Sequence, residues 1–324
     1  MVQNCRVTAP VTATQNACGQ AAPPRLPSVG GIGKVVVDQV IRCDHQPEPD
    51  GHQHVTRLLT AGGGAANVAG NVAAHGFPAV VAGWAGADDG SAQALGQLAG
   101  LGVELRVVRR GRAPFATVLA WAGDRSFLVD QGDLRGEAAD VRAAWFEGLD
   151  VVHINGFDLL DYSWPTVIFD VVDMARRLGV AVSVDTPTTA RIHAQGASSF
   201  RDSLARVAPD VLFANASEAE ALGLDRWPGW AGLLVVHAGL EPSVVHRRQG
   251  SEAYPVDLVV PNPETTGCGD AFAAGFLTAW AQDLSVAGAV DRAHAWAAEI
   301  ADVVGAQPGG PPVSPCDPLR RPGY

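Results

Sequence analysis

Residues 151–185 read VVHINGFDLLDYSWPTVIFDVVDMARRLGVAVSVD and contain a complete strand–helix–strand unit. The first of these residues, 151–155, form a short apolar run of the kind that makes a strand buried on both faces. Apolar residues then recur at helical spacing through residues 167–178, which predicts an amphipathic helix. Residues 180–184 form a second apolar run. The stretch therefore predicts two parallel strands joined by a helix.

The same alternation of strand, turn and helix extends on both sides of this unit, beginning near residue 29. Residues 211–213 and 233–236 are two further apolar runs. This pattern predicts an α/β fold in which a doubly wound, mostly parallel sheet is flanked by helices. Such sheets bind ligands beyond the carboxyl ends of their strands. Four residues fall at predicted strand ends and indicate a site: Asn155, Asp185, Asn215 and Gly239.

Two stretches interrupt the alternation, residues 38–60 and 104–130, because they contain strand-forming residues without intervening helices. We interpret them as strands of a small β-sheet that stands off the main domain. Above a ligand site such a sheet is a lid, and an ordinary edge hairpin is the alternative. The predicted domain covers residues 28–308, with a disordered extension at 1–27 and an irregular, Pro- and Gly-rich tail at 309–324.

Composition restricts the partners and the compartment. Hydrophobic residues make up 47% of the 324 residues, and the net charge of -11 disfavours nucleic acid and anionic membranes as partners. No apolar run reaches the roughly 20 residues of a membrane span, and residues 1–27 lack the apolar stretch of a signal peptide. The five cysteines are an odd number in a long chain, which argues against a disulfide framework. We therefore predict a cytoplasmic protein.

The strongest chemical motif is a glycine-rich turn that opens directly into an apolar helix, ETTGCGDAFAAGFL at residues 264–277. The first N–H groups of a helix have no internal partner and lie at the positive end of its dipole. We predict that Gly267, Cys268 and Gly269 form an anion hole for a transferring phosphoryl group. Asp270 would take the proton of the attacking hydroxyl. The alternative is a common capped helix with an aspartate in its first turn.

A second glycine-rich motif, GGGAANVA, lies at residues 62–69 and precedes a helix of small residues. The glycines allow a ligand to approach the backbone closely. Asn67 lies one turn into the helix, and its amide can both donate and accept hydrogen bonds with substrate hydroxyls. The alternative is a tight strand-to-helix turn with Asn67 facing solvent.

In this order and about 200 residues apart, the two motifs resemble those of the ribokinase-like family of sugar kinases, also called the phosphofructokinase B (PfkB) type. The family carries a G-G-x-x-x-N element near its start and a D-T-x-G-x-G-D element near its end. The resemblance extends over roughly residues 29–308. It implies an ATP-dependent phosphotransferase that uses Mg²⁺ and phosphorylates a hydroxymethyl group of a sugar or sugar derivative, with Asp270 as the base.

The resemblance also implies which residues bind the two substrates. The expected acceptor contacts are Asp38, Gly63, Gly64, Asn67 and, from its strand end, Asn155. The expected ATP contacts are Asn215, Glu218, Gly239 and Thr266. Asn215 and Glu218 match the family's N-x-x-E element, which organises magnesium and phosphates, and Glu218 is the expected metal-associated acid because a hard cation prefers oxygen ligands.

The chain departs from the family pattern at several of these positions. Glu264 stands where the family has Asp, in the neighbourhood of a monovalent cation, so K⁺ as an additional cofactor is an open expectation. Gly64 replaces the Lys of ribokinases proper, which makes ribose itself less certain as the acceptor. His237 and Pro242 replace Thr and Gly in the ATP loop, and Cys268 replaces Ala in the anion hole.

Other functions are weighed against this one. The chain has no P-loop, since Gly33-Lys34 is followed by Val35, and no G-x-S-x-G nucleophile elbow. Two alternatives stay open: a nucleoside kinase of the same fold, and a non-catalytic sugar-binding regulatory protein. By analogy with the family, lids of two chains pair to make a homodimer.

Overall fold

The computed structural model describes residues 25–121, 124–160, 164–258, 260, 265–303 and 305–309. Its strands, in chain order, are β1 (Val29–Lys34), β2 (Val36–Arg42), β3 (Thr56–Gly62), β4 (Ala79–Ala85), β5 (Glu104–Arg109), β6 (Phe115–Trp121), β7 (Asp124–Asp130), β8 (Val151–Asn155), β9 (Ala181–Asp185), β10 (Val211–Asn215), β11 (Leu233–Ala238), β12 (Glu241–Arg247) and β13 (Gly250–Tyr254). Its α-helices are α1 (Gly64–Ala74), α2 (Asp89–Gly100), α3 (Trp164–Arg177), α4 (Thr189–Gln195), α5 (Ala197–Val207), α6 (Ala216–Leu222), α7 (Cys268–Trp280) and α8 (Val286–Ala301). Short 3₁₀ helices lie at Ala138–Asp140, Ala143–Trp145 and Gly156–Leu159.

The main sheet has nine of these strands in the order β13-β12-β11-β10-β9-β8-β1-β4-β5. All neighbours from β11 to β5 pair in parallel, and β12 and β13 add an antiparallel hairpin at one edge. The chain runs from β1 outward to β4 and β5, and then returns to place β8 on the other side of β1. The strand order therefore reverses between β1 and β8, which is where doubly wound sheets bind ligands.

Two layers of helices cover the main sheet. Helices α1, α2, α7 and α8 pack on one face in a core that includes Val151 and Phe213. Helices α3 to α6 pack on the other face around Val152 and Ile154. Consecutive residues of a strand face opposite sides, so a strand covered on both faces is apolar at most positions, as β4 (AVVAGWA) is. The predicted doubly wound α/β fold is confirmed.

The lid is a separate four-stranded sheet in the order β3-β2-β6-β7. Strand β2 pairs antiparallel with β3 and parallel with β6, and β6 pairs antiparallel with β7. Val40, Val118 and the partly buried Leu58 form a small core within it.

The prediction that the lid includes residues from 104 onward is wrong for β5, because β5 pairs in parallel with β4 at the edge of the main sheet. Leu105 and Val107 pack against one core layer and Val108 packs against the other. A strand whose two faces both meet apolar layers belongs to the main sheet. The second lid segment therefore begins at Phe115, and the first runs from Val36 to Gly62.

The predicted ends of the domain lie close to the limits of the described residues. Residues 1–24 of the predicted extension and 310–324 of the predicted tail lie outside the described residues. Arg25, within the predicted extension, donates a hydrogen bond to Asp150 at 2.6 Å, and the N–H of Ser28 donates to the same carboxylate at 2.8 Å. Described contacts therefore begin at Arg25, and the predicted boundary at residue 28 stays a prediction. Among the described helices, none combines the length and apolar character needed to cross a membrane.

Candidate active site

A cavity of about 880 Å³ lies between the carboxyl ends of the parallel strands and the lid. All four residues that the sequence places at strand ends line it: Asn155, Asp185, Asn215 and Gly239. The lid contributes apolar side chains from its inner face: Val36, Ala116, Phe127 and Val129. The volume lies within the range of about 300–1,000 Å³ that is typical of small-molecule sites.

The glycine-rich turn forms the start of α7 and lines this cavity. Gly267 has φ +80°, and a Cβ atom added there would lie 2.5 Å from the Cα of Ala306. Only glycine fits both the backbone conformation and the space. Cys268, Gly269 and Asp270 then form the first turn of α7. The backbone N–H of Cys268 donates to the carbonyl oxygen of Thr265 at 3.4 Å. Phosphate-sized anions bind favourably at such a terminus.

Asp270 is held in place from beneath by Asn67. The Nδ2 of Asn67 donates a hydrogen bond to Oδ2 of Asp270 at 2.8 Å. The pKa of Asp270 is raised to about 7, chiefly by burial and also by the carboxylate of Asp38, while the hydrogen bond from Asn67 acts to lower it. A carboxyl group with this pKa is suited to accept a proton near neutral pH.

Asn67 was expected to contact the acceptor, but among the described residues it does not line the cavity and is only 5% exposed. Its Oδ1 accepts a hydrogen bond from Nε2 of Gln307 at 2.7 Å, which directs the Nδ2 toward Asp270. Its backbone oxygen accepts from Nδ2 of Asn71 at 2.9 Å. Asn67 therefore contacts Asp270 directly, and Gln307 donates to the other end of the same amide. Contact of Asn67 with the acceptor stays a prediction.

The glycines of residues 62–64 let three polar side chains converge on this loop. A Cβ atom at Gly62 would lie 2.1 Å from Oδ2 of Asp38, and one at Gly64 would lie 1.9 Å from Nδ2 of Asn155 and 3.0 Å from Oδ1 of Asp270. Any larger residue at 62 or 64 would displace these groups. Burial raises the pKa of Asp38 to about 6.

Asn215 and Glu218 form a closed hydrogen-bonded unit at the start of α6. Asn215 donates to Glu218 from its backbone at 3.0 Å and from its side chain at 2.7 Å, and its Oδ1 accepts from the backbone of Glu218 at 2.9 Å. Thr186 also donates to Glu218, at 2.6 Å. Burial raises the pKa of Glu218, although these hydrogen bonds act to lower it.

Asp185 adds a further acid to this part of the cavity. Burial raises its pKa well above the usual range, and the carboxylates of Asp270 and Glu218 raise it further. This concentration of acidic oxygen atoms fits a hard divalent cation such as Mg²⁺. Among the described residues, no three His, Cys, Asp or Glu side chains are arranged to hold a metal by themselves. The ion would therefore need ligands from a nucleotide and from water.

The part of the cavity beside α8 is mostly apolar. It is lined by Val256, Leu258, Val260, Ala297, Ala298 and Ala301. His237 lies between this region and the turn, with its ring centroid 5.3 Å from that of Phe272. Burial and the neighbouring His294 lower the pKa of His237 to about 4, so the ring is neutral at pH 7. Gly239 follows with φ +65°.

The structure brings most of the predicted site residues together, because the turn residues, Thr266, Gly63, Gly64, Asn155, Asn215, Glu218 and Gly239 all line one cavity. Asp38 lies beside it, against Gly62. The predicted K⁺ neighbourhood at Glu264 is outside the described residues. Sequence reasoning gave no role to Lys34, Asp158, Thr186 or Arg191, which also line the cavity. For Lys34 the available signal was its position at the end of the strand that begins near residue 29, since ligands bind beyond such ends.

The fold and the cavity are those of kinases with the ribokinase-like architecture, and comparisons with known proteins agree. The sequence matches the family described as "pfkB family carbohydrate kinase" over residues 28–226 and 229–312. It is 32% identical over 291 residues to the ATP-dependent ribose-1-phosphate kinase of Halopiger xanaduensis, which covers 85% of this chain and 92% of the relative.

Solved structures of the same architecture include adenosine kinase from Sinorhizobium meliloti, with a TM-score of 0.75 and 20% identity over 88% of this chain and 97% of that one. A fructokinase with bound ATP from Xylella fastidiosa superposes with a TM-score of 0.72 and 25% identity over 88% and 95% of the two chains. The chain belongs to the PfkB family of carbohydrate kinases. It is an ATP-using kinase of a sugar or a nucleoside.

Proposed function

We propose that the protein transfers the γ-phosphoryl group of ATP to a hydroxymethyl group of a sugar or sugar derivative, with Asp270 as the base. The observation that carries this proposal is the position of Asp270: it lies in the cavity, at the N-terminus of α7, hydrogen-bonded to Asn67. The hydroxyl oxygen attacks the γ-phosphorus and its proton passes to Asp270. The bond from the γ-phosphorus to the bridging oxygen breaks, and ADP leaves.

The turn before Asp270 stabilises the charge that moves through the transferring group. The N–H groups at Gly267, Cys268 and Gly269 lie at the positive end of the α7 dipole, where they can donate to phosphoryl oxygens. Donors that are fixed before the reaction need no reorganisation during it. Closure of the lid over the acceptor would bring its apolar side chains Phe127 and Val129 over the site, exclude water and so suppress hydrolysis of ATP.

ATP would lie along the ends of β10 and β11, with its phosphates toward Asn215 and Glu218 and its base in the apolar end of the cavity. Thr266 and Gly239 border the same space. When bound, Mg²⁺ neutralises negative charge on the phosphates. Both oxygens of Glu218 already accept hydrogen bonds, so we propose that Glu218 meets the ion through water. A role for K⁺ stays a prediction.

The acceptor would lie on the glycine loop, where Gly63 and Gly64 border the cavity beside Asn155 and Asp38. The Halopiger relative is named for ribose 1-phosphate and one structural neighbour for adenosine. Free sugars, sugar phosphates and nucleosides are therefore the acceptors to compare.

An ADP-release assay with ATP and Mg²⁺ tests this function. The acceptor panel contains ribose, fructose, their 1-phosphates and adenosine, and each is run with wild type and with Asp270→Asn. We expect release that depends on one class of acceptor and falls by on the order of 10²–10⁴ in the variant. If no acceptor stimulates release while a sugar still raises the melting temperature, the protein is a non-catalytic sugar-binding member of the family.

A further inference from the structure

A smaller cavity of about 260 Å³ lies next to the main one. Four of the residues that line it also line the main cavity, so the two spaces adjoin: Lys34, Pro114, Gln131 and Arg191. The other residues that line the small cavity are Leu134, Arg135 and Trp164. We call this space the side cavity.

The side cavity adjoins the acceptor end of the site. Lys34 ends β1, beside the reversal of strand order, and a Cβ atom at Gly63 would lie 2.9 Å from the backbone oxygen of Lys34. The base-binding end, around Val256 and Ala301, contributes no residue to it among those described. The side cavity therefore adjoins the part of the main cavity where the acceptor is proposed to lie.

The side cavity differs from the main cavity in charge. Its described lining contains the cations Lys34, Arg135 and Arg191 and no acid. The main cavity shares Lys34 and Arg191 with the side cavity, but it is also lined by the four acids Asp158, Asp185, Glu218 and Asp270. Electrostatics alone would therefore direct an anionic group of the acceptor to the side cavity and away from the carboxylates.

Lys34 is a fixed cation and not a mobile surface lysine. Its side chain is 8% exposed, and its Nζ lies 3.3 Å from Oδ1 of Asp158, which is itself 3% exposed. The Nζ also lies 4.9 Å from the ring centroid of Trp164. An ion pair between Lys34 and Asp158 that only stabilises the fold would also explain these contacts. It would not explain why two arginines border the same space.

Arg135 and Arg191 come from different parts of the fold, the loop after the lid and helix α4. Both are exposed, and Arg135 donates a hydrogen bond to the backbone oxygen of Leu134 at 2.8 Å. Guanidinium groups bind phosphate oxygens in a bidentate geometry, and a fixed ammonium adds a third charged donor. Two arginines and a lysine around one small cavity are suited to a phosphate dianion.

We propose that the acceptor is a sugar phosphate whose phosphate group binds in the side cavity to Lys34, Arg135 and Arg191, while its hydroxymethyl group faces Asp270. This inference rests on the proposed function for the orientation of the acceptor. It identifies the class of substrate as a sugar that already carries a phosphate at the end opposite the reacting hydroxyl.

The test measures binding without turnover. Wild type, Arg135→Gln and Arg191→Gln are titrated by calorimetry with ribose, ribose 1-phosphate, fructose and fructose 1-phosphate. Arg226→Gln is the matched control, because Arg226 is an exposed arginine that lines neither cavity. We expect wild type to bind at least one phosphorylated sugar more tightly than its parent sugar. Each site variant should reduce that preference about 10- to 100-fold, as expected for loss of a charge-assisted hydrogen bond.

A wild type that binds neither phosphorylated sugar more tightly than its parent overturns the inference. So does a preference that survives both site variants or that falls equally in Arg226→Gln. Turnover separates the inference from the proposed function. If the arginine-dependent preference is present but no acceptor is phosphorylated, phosphate binding in the side cavity is supported and the proposed kinase mechanism is wrong. If free sugars are phosphorylated in an Asp270-dependent way without a preference for phosphate, the mechanism stands and the side-cavity inference fails.

Discussion

The amide of Asn67 donates a hydrogen bond of 2.8 Å to the carboxylate of Asp270, although the two residues are 203 positions apart in the chain. This contact joins the start of α1 to the start of α7, and so connects the two glycine-rich motifs. Gln307 donates to the other side of the same amide at 2.7 Å. Three distant parts of the sequence thus meet at Asp270.

The pH dependence of activity should report on this pair. Asp270 must be ionised to accept a proton, so kcat/KM should rise with pH through an apparent pKa of about 7. Asn67→Ala removes a hydrogen bond that favours the ionised form, so the rising limb should move to higher pH. Asp38 and Asp185 interact with Asp270 and also have raised pKa values. The apparent pKa of the rising limb therefore describes the three acids together and not Asp270 alone.

Asn71→Ala is the control for this experiment, since Asn71 is a buried asparagine of the same helix whose amide contacts only backbone oxygens among the described residues. The rise of kcat/KM with pH in Asn71→Ala should coincide with that of wild type. A limb that does not move in Asn67→Ala would mean that the hydrogen bond does not tune Asp270.

Stability should also depend on pH through Asp270. Its pKa is raised on folding from 3.8 to about 7, so ionisation of this group favours the unfolded state. The stability associated with protonated Asp270 is fully present below about pH 4 and is lost as the pH rises through about 7. Asp270→Asn should therefore stabilise the protein at about pH 8 by on the order of 1–3 kcal/mol, with a smaller effect near pH 5. Chemical denaturation at the two pH values measures this, and equal effects at both would argue against a raised pKa.

Gly267 should be intolerant of any side chain. Gly267→Ala combines a positive φ with a Cβ atom that would lie 2.5 Å from Ala306. We expect it to lower stability by about 1–3 kcal/mol and turnover by at least about tenfold, because the anion hole shifts. Gly229→Ala is the matched control, with φ +86° and open space around its Cβ. It should cost about 1 kcal/mol and leave turnover unchanged. Equal losses of turnover in both variants would mean that the clash at Ala306 has no catalytic consequence.

The homodimer through the lid stays a prediction. The edge strand β7 leaves Phe127, Leu128 and Val129 more than half exposed, at 55%, 59% and 51%. Leu128 does not line the cavity, whereas Phe127 and Val129 do. Leu128→Glu should therefore convert a lid-paired dimer to a monomer in sedimentation experiments. A wild type that is monomeric, or a variant that remains dimeric, would contradict pairing at this strand.

The sequence predicted the main sheet because its strands are apolar at consecutive positions, and the strand-end residues followed from that pattern. It predicted the lid less well, because β5 (ELRVVR) mixes apolar and charged residues much as the lid strand β2 (VVDQVIR) does. Leu105, Val107 and Val108 face helix layers that are distant in sequence. Strand composition carries no information about such a layer.

The two glycine motifs predicted the turn at the start of α7 and the position of Asp270 in it, since local backbone conformation and helix termini are encoded locally. The role of Asn67 could not be derived in the same way. Whether its amide faces a ligand or Asp270 depends on Gln307, which lies 240 positions further along the chain. The cations of the side cavity were missed for a similar reason. Lys34, Arg135 and Arg191 share no motif, and they come together through the topology of the fold.

The central claim is that Asp270 removes the proton of the acceptor during phosphoryl transfer. The most direct measurement is a single-turnover experiment in which enzyme with bound γ-labelled ATP is mixed with the acceptor that the ADP-release assay identifies. Wild type should transfer the label to the acceptor at a rate that Asp270→Asn lowers by on the order of 10²–10⁴, while binding of ATP is retained. Transfer in the variant at nearly the wild-type rate would contradict the account.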